Sequence, residues 1–158
     1  MSNISAAQVK ELREKTGLGL MDCKKALEDA EGNMDKAIEE LRKTSGVKAS
    51  KKSGRSAADG LIAIMNIEDQ IFMIEVNCET DFVARDDSFV EFTSQTLKSY
   101  SENPDKTLQE LMDDGIEDNR EKIVQKLGEN IVVRRVAKTE SSTITGSYLH
   151  SNNKIGCI

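Results

Sequence analysis

Apolar positions along the chain change period once, near residue 57. Before that point they recur at helical spacing. Val9, Leu12 and Thr16 form one stripe, Cys23, Ala26, Leu27 and Ala30 a second, and Met34, Ala37, Ile38 and Leu41 a third. The stripes stop at Gly17, Gly32 and Gly46, and the first opens on a capping box, Ser5-Ala6-Ala7-Gln8. The pattern predicts three short helices over residues 5–45 that close on one another as a small bundle. Gly17-Leu18-Gly19-Leu20-Met21 makes the first turn and is expected to leave Leu20 and Met21 exposed. Its two glycines follow a helix and lack the third glycine of a phosphate-binding loop, so they read as turn residues.

Residues 46–56 carry Lys48, Lys51, Lys52 and Arg55 among Ser, Gly and Ala, with no acidic residue. They predict a solvated, flexible linker. A nucleic-acid patch would want aromatic side chains for base stacking, and the segment has none. Beyond it, residues 61–67 and 71–76 are β-rich runs around a Glu68-Asp69-Gln70 turn, which predicts a hairpin. Ser88-Phe89-Val90-Glu91 reads as a capping box for a helix whose stripe of Phe89, Phe92, Thr93, Thr96, Leu97 and Tyr100 is core. Pro104 breaks the chain. Thr107-Leu108-Gln109-Glu110 caps a short helix ending at Gly115, and Ile116, Arg120, Ile123, Val124 and Leu127 mark another that stops at Gly128. Residues 131–137 return as a strand. Residues 146–150 and 154–158, around Ser151-Asn152-Asn153, read as a second hairpin echoing the first.

A hairpin, helices and a returning strand make an α+β core. The expected division is a three-helix module (1–45), a linker (46–56), a first core half (57–140) and the start of a second, incomplete half (141–158). The sequence ends inside an apparent strand with no helix after it to cover the sheet, so a chain truncated at its C-terminus is expected.

Composition narrows the function classes. With 158 residues, 32% of them charged, and a net charge of -6, the chain reads as a soluble, acidic protein. That balance disfavours nucleic acid as a direct partner, because phosphate binding needs a basic surface. No apolar window is long enough to span a bilayer, and the first five residues do not read as a secretory signal. Cys23, Cys78 and Cys157 are odd in number and widely spaced, with no Cys-x-x-Cys. Reduced, buried thiols in a cytosolic protein are expected, with no metal site. One histidine, His150, and no Ser–His or Cys–His constellation argue against nucleophilic catalysis.

The stretch of residues 77–86, Asn-Cys-Glu-Thr-Asp-Phe-Val-Ala-Arg-Asp, lies between a predicted strand and a predicted helix and reads as a short polar loop. It places one large apolar side chain, Phe82, beside Asp81. Phe82 either folds back as a lid on the core or projects as an anchor for a partner; composition does not choose.

Thr80-Asp81-Phe82-Val83-Ala84-Arg85-Asp86 resembles the signature loop of the elongation factor Ts family. The resemblance extends to Val9-Lys10-Glu11-Leu12-Arg13, Thr16-Gly17, Met21-Asp22-Cys23-Lys24-Lys25-Ala26-Leu27, Ala57-Ala58-Asp59-Gly60, Gly128-Glu129-Asn130-Ile131 and Gly146-Ser147-Tyr148. It implies a cytoplasmic, non-enzymatic guanine nucleotide exchange factor of translation, without cofactor or metal. The implied partner is the GTPase elongation factor Tu, and whether the chain also pairs as a homodimer stays open. In that family the loop phenylalanine, here Phe82, wedges with Asp81 into the partner's nucleotide-binding domain, disturbing magnesium and phosphate contacts so that GDP leaves. Thr80, Val83 and Gly128 go with that site. The front bundle resembles a ubiquitin-associated-type module and is implied to grip the same domain through Arg13, Leu20, Met21 and Lys24. His150 matches a contact to another domain of the partner.

Two other classes remain open on the residues alone. A ubiquitin-type or chaperone-associated binding module would need only the front bundle. An enzyme using Asp81 or Glu79 as a base would need a pocket beside those carboxylates and a perturbed pKa.

Overall fold

A computed structural model describes residues 4–140 and 144–158. The outermost residues of the first predicted segment (1–3) and the start of the last (141–143) lie outside the described residues. The fold is α+β, with helices first and an antiparallel sheet after them.

The front bundle consists of α1 (Ala6–Thr16), α2 (Leu20–Asp29) and α3 (Met34–Lys52). Ser5 and Gln8 form the predicted capping box on α1, which supplies acceptors for backbone N–H groups that a helix start leaves open. Val9, Leu12, Leu18, Cys23, Leu27 and Leu41 are buried in one apolar cluster of this bundle. Ile38, expected on the buried stripe, is instead exposed at its rim.

α3 departs from expectation. It does not stop at Gly46 but continues to Lys52, so most of the expected flexible linker is helical. The physical reason is packing. α3 lies along α7 (Glu117–Leu127), and both Ser45 and Ala49 are buried there. A Cβ at Gly46 would stand 3.1 Å from the Glu121 carboxylate. Gly46 therefore sits inside the helix–helix contact, and burial of Ser45 and Ala49 on either side of it outweighs its helix-propensity cost of about 1 kcal/mol. Ion pairs Arg42–Asp118 (2.6 Å) and Lys48–Asp22 (3.0 Å), and a hydrogen bond from Lys52 Nζ to the Gly128 carbonyl (2.6 Å), flank this contact.

The sheet has the order β1 (Asp59–Ile67), β2 (Gln70–Cys78), β3 (Val132–Lys138), all antiparallel, with a bulge between Glu75 and Val76 where β2 meets β3. Period-2 alternation sends Phe72, Ile74, Val76 and Cys78 of β2 to the helical side. There they meet Phe89, Phe92, Leu97 and Tyr100 of α5 (Asp87–Glu102), together with Val124 of α7. Phe72 and Tyr100 pack edge to face with ring centroids 5.6 Å apart. The stripe predicted for α5 is thus fully buried. Between α5 and α7, Thr107 and Glu110 form the expected capping box of a single turn, α6 (Leu108–Leu111), followed by a wide turn over Met112–Ile116. Gly60, at φ +144°, is required where β1 runs close to β2: a Cβ there would meet the Val76 carbonyl oxygen at 2.1 Å.

The second hairpin is present as β4 (Tyr148–Leu149) and β5 (Gly156–Cys157), shorter than predicted. As expected, no helix among the described residues covers it, and Tyr148 and Ile155 are exposed. Its turn caps the free edge of β1, with Ile62 N donating to the Asn153 carbonyl at 2.7 Å. Lys154 Nζ donates to both Asp59 oxygens at 2.7 and 2.9 Å. Asp59 is held below its ordinary value of 3.8, chiefly by the Lys154 hydrogen bond and then by the Gly60 N–H. A depressed carboxyl contributes its full stability above 3.8 and loses it as pH falls through the lower folded value. We therefore expect the Ile62 amide to lose hydrogen-exchange protection, relative to the rest of β1, below that pH. Lys154→Met should produce the same selective loss at neutral pH, at a cost of no more than about 1 kcal/mol. Protection of Ile62 that is unchanged in both conditions would contradict this account.

Cys23 and Cys78 are buried as expected, but Cys157 is exposed because the short β5 leaves its side chain uncovered.

Candidate functional site

The stretch after β2 is not an irregular loop. Thr80 caps a single helical turn, α4 (Asp81–Ala84), with its hydroxyl accepting from Val83 N at 3.4 Å. Asp86 then caps α5: its carboxylate accepts from Ser88 N at 2.8 Å, and that bond, first among the causes, lowers its pKa. The helix therefore begins before Ser88, the residue that opens the capping box the sequence predicts. Both residues are competent caps, and Asp wins here because its carboxylate also favours the helix's positive end.

α4 is anchored by its small and β-branched positions. Ala84 is buried and Val83 packs on the main core, while Phe82 on the same turn points away. The chain has four phenylalanines. Phe72, Phe89 and Phe92 are at most 2% exposed, whereas Phe82 is 81% exposed. The lid reading of Phe82 is thereby excluded. Asp81 pairs with Arg85 at 2.8 Å, an exposed i,i+4 pair contributing only a few tenths of a kcal/mol, so it orients the carboxylate more than it stabilises the fold.

The base of this turn is tied to the segment after α7. Gly128 ends that helix in the left-handed conformation. The next side chain, Glu129, accepts from Glu79 N and Thr80 N, both at 3.0 Å, and from the Thr80 hydroxyl at 2.7 Å. Glu79 returns the contact, accepting from Asn130 N at 2.6 Å and from Arg55 Nη1 at 3.5 Å. Asn130, 1% exposed, donates to the carbonyls of Ser53 and Arg55. Thr80, Asp81, Phe82, Val83 and Gly128 are thus parts of one construction. Glu79 and Asp81, the two carboxylates weighed as catalytic bases, are both engaged in it as acceptors. Cys78, beneath the turn, is pushed up to about 12, first by burial and then by the Glu129 charge, which leaves it a thiol rather than a nucleophile.

The remaining predicted site residues sit elsewhere. Leu20 and Met21, 52% and 73% exposed, open α2 at the front of the bundle. Arg13 and Lys24 are exposed on α1 and α2, with Lys24 near Glu28 at 3.7 Å. His150 lies on the second hairpin, where its Nδ1 is 2.6 Å from the Tyr148 hydroxyl. Glu129 and Asn130 lie in the family-like stretch of residues 128–131, and nothing in the sequence gives them a role. Their partners lie about fifty residues or more away in the chain, so no local spacing points to them. Among the described residues, no group of three His, Cys, Asp or Glu side chains could hold a metal ion, and no helix is long and apolar enough to cross a membrane.

Fold and site together define an α+β protein with a helical front bundle that displays apolar side chains at two separate turns. A family model described as "Elongation factor TS" matches residues 79–158. The whole chain is 53% identical to the elongation factor Ts of Marinobacter nauticus and 50% identical to that of Hahella chejuensis, covering 55% and 56% of those proteins. It is 46% identical to the elongation factor Ts of Arthrospira platensis, of which it covers 67%. The chain belongs to the elongation factor Ts family. It spans about half the length of the first two relatives.

Proposed function

We propose that the chain is a guanine nucleotide exchange factor of translation elongation that binds elongation factor Tu in the cytoplasm and promotes GDP release without chemical catalysis. The single observation that carries this reading is Phe82, the one phenylalanine at the surface, 81% exposed on a turn whose backbone is held from below. A large apolar side chain displayed on a firm mount suits insertion into a partner, where aromatic anchors concentrate binding energy. Asp81 and Arg85 supply orienting charge beside it. The wedge would act near the partner's magnesium and phosphate site, after which GTP can rebind.

Residues 1–45 serve, in this reading, as a ubiquitin-associated-like module contacting the same partner through Arg13, Leu20, Met21 and Lys24. Residues 57–140 carry the wedge, and His150 in the 141–158 segment is a third contact. The linker of this scheme contracts to the few residues after Lys52. Exposure of Leu20 and Met21 at a helix start supports the front contact. Met21→Asp should weaken partner binding about tenfold or more, as expected for charge placed in an apolar contact, while circular dichroism of the helices stays unchanged. Unaltered affinity in the folded variant would remove this turn from the interface.

Exchange by this route demands reciprocity: a factor that loosens GDP must itself be loosened by GDP to the same degree. Titration of the chain onto nucleotide-free elongation factor Tu and onto its GDP complex tests this. Tighter binding to the nucleotide-free form is expected, and equal affinities would overturn the proposal.

A further inference from the structure

The Glu129 carboxylate is an unusual kind of partner for the Phe82 turn. It lies half-buried on a different element, and its two oxygens collect three donors from two consecutive residues at the foot of α4. Consecutive N–H groups converging on one carboxylate form a small anion-holding concavity. Bonds to an ionised acceptor are stronger than neutral ones. The Thr80 hydroxyl then passes the constraint on: while donating to Glu129 Oε1 at 2.7 Å, it accepts from Val83 N at 3.4 Å inside the turn. Glu79 and Asn130 close the loop in the opposite direction at 2.6 Å. Two chain segments thus exchange carboxylates, and the backbone leading into Phe82's turn is fixed before any partner arrives.

We propose that Glu129 is a positioning residue for Phe82: it touches no reacting atom, and it sets the orientation in which the ring is presented. This deepens the exchange-factor reading and rests on it. A ring on a preorganised mount loses little conformational freedom on insertion, so more of its contact energy is expressed in the complex. Without Glu129 the front module still brings the partner in, but the ring seats correctly in fewer encounters. Loss of Glu129 should therefore lower the limiting rate of GDP release more than it raises the concentration giving half that rate.

The test uses the full chain with Glu129→Gln, which keeps shape but offers one acceptor oxygen where the carboxylate offers two, and Thr80→Val, which removes the relay hydroxyl. In Glu129→Gln, amide exchange at Glu79 and Thr80 should speed up about tenfold or more, the scale of a lost charge-assisted bond, with Val124 protection unchanged. The limiting rate of stimulated GDP release should fall about tenfold, with the half-saturating concentration shifting less than about threefold. In a Phe82→Ala background the same substitution should cost nothing further, because its effect passes through the ring. If Glu129→Gln fails to fold, Thr80→Val carries the two release readouts, with amide exchange read at Val83, whose N–H loses its acceptor. Unchanged amide exchange, or an equal cost with and without the Phe82 ring, would overturn the inference while leaving the exchange reading intact. A chain that does not accelerate release at all would instead overturn the exchange reading, and the inference with it.

Discussion

Phe82→Ala should reduce stimulated GDP release by about thirtyfold or more while leaving the melting temperature within about 2 °C. The first figure follows from the loss of a central aromatic anchor, which costs about 2 kcal/mol or more at an interface, with each 1.4 kcal/mol worth a factor of ten. The second follows from exposure. An 81% exposed ring contributes little to the fold, and surface substitutions stay within about 0.5 kcal/mol. The measurements are stopped-flow release of a fluorescent GDP and a thermal melt on the same preparation. A variant that releases GDP normally would remove Phe82 from the mechanism. One that melts early would return the ring to the core.

Phe89→Ala, seven residues further on, should do the opposite. Phe89 is 0% exposed in the first turn of α5, in the cluster formed with Ile74, Val76, Leu97 and Val124. Truncation removes the transfer energy of the ring and leaves a cavity that close-packed neighbours only partly fill, a combined cost of about 3–5 kcal/mol. For a domain whose whole stability is about 5–15 kcal/mol, that is a large share. The melting temperature should fall by about 6 °C or more. At temperatures where the variant is still folded, stimulated release should stay near that of the unaltered chain, because the turn carrying Phe82 remains. A melt that does not move would show that α5 is not packed as described.

The contrast between these two phenylalanines shows what the sequence could and could not disclose. Phe89 belongs to a helical stripe, and periodicity alone marks it as core. Phe82 has no stripe. Composition left it equally a lid or an anchor, and only the packing of Val83 and Ala84 beside it decides which way the ring faces. Leu20 and Met21 were legible as exposed because the stripe of α2 begins later, at Cys23. Gly46 was misread for a reason of the same kind. A glycine that ends a helix and one that sits inside a helix–helix contact look alike locally, and the second helix, α7, lies some seventy residues away. Cap residues were ambiguous where two competent ones were close, as at Asp86 and Ser88. The network around Glu129 was invisible in principle, since hydrogen bonds between residues so distant in the chain leave no period to find.

The docking of the front bundle on α7 also alters how the two displayed turns act. Ser45, Gly46 and Ala49 press α3 against α7, and Arg42 and Lys52 bracket the contact. The Leu20–Met21 turn and the Phe82 turn are therefore carried by packed elements rather than joined through a flexible tether. In the proposed reading, a partner that engages one would find the other at a set spacing, which raises its effective concentration without any added contact.

The central claim is that the chain speeds departure of GDP from elongation factor Tu. It is tested most directly by loading the GTPase with a fluorescent GDP, adding excess unlabelled nucleotide, and following release at increasing concentrations of the chain. The account predicts a release rate that climbs with chain concentration towards a plateau, and that returns close to the spontaneous rate when Phe82→Ala replaces the unaltered chain. A release rate that stays at its spontaneous value across the whole titration would contradict it.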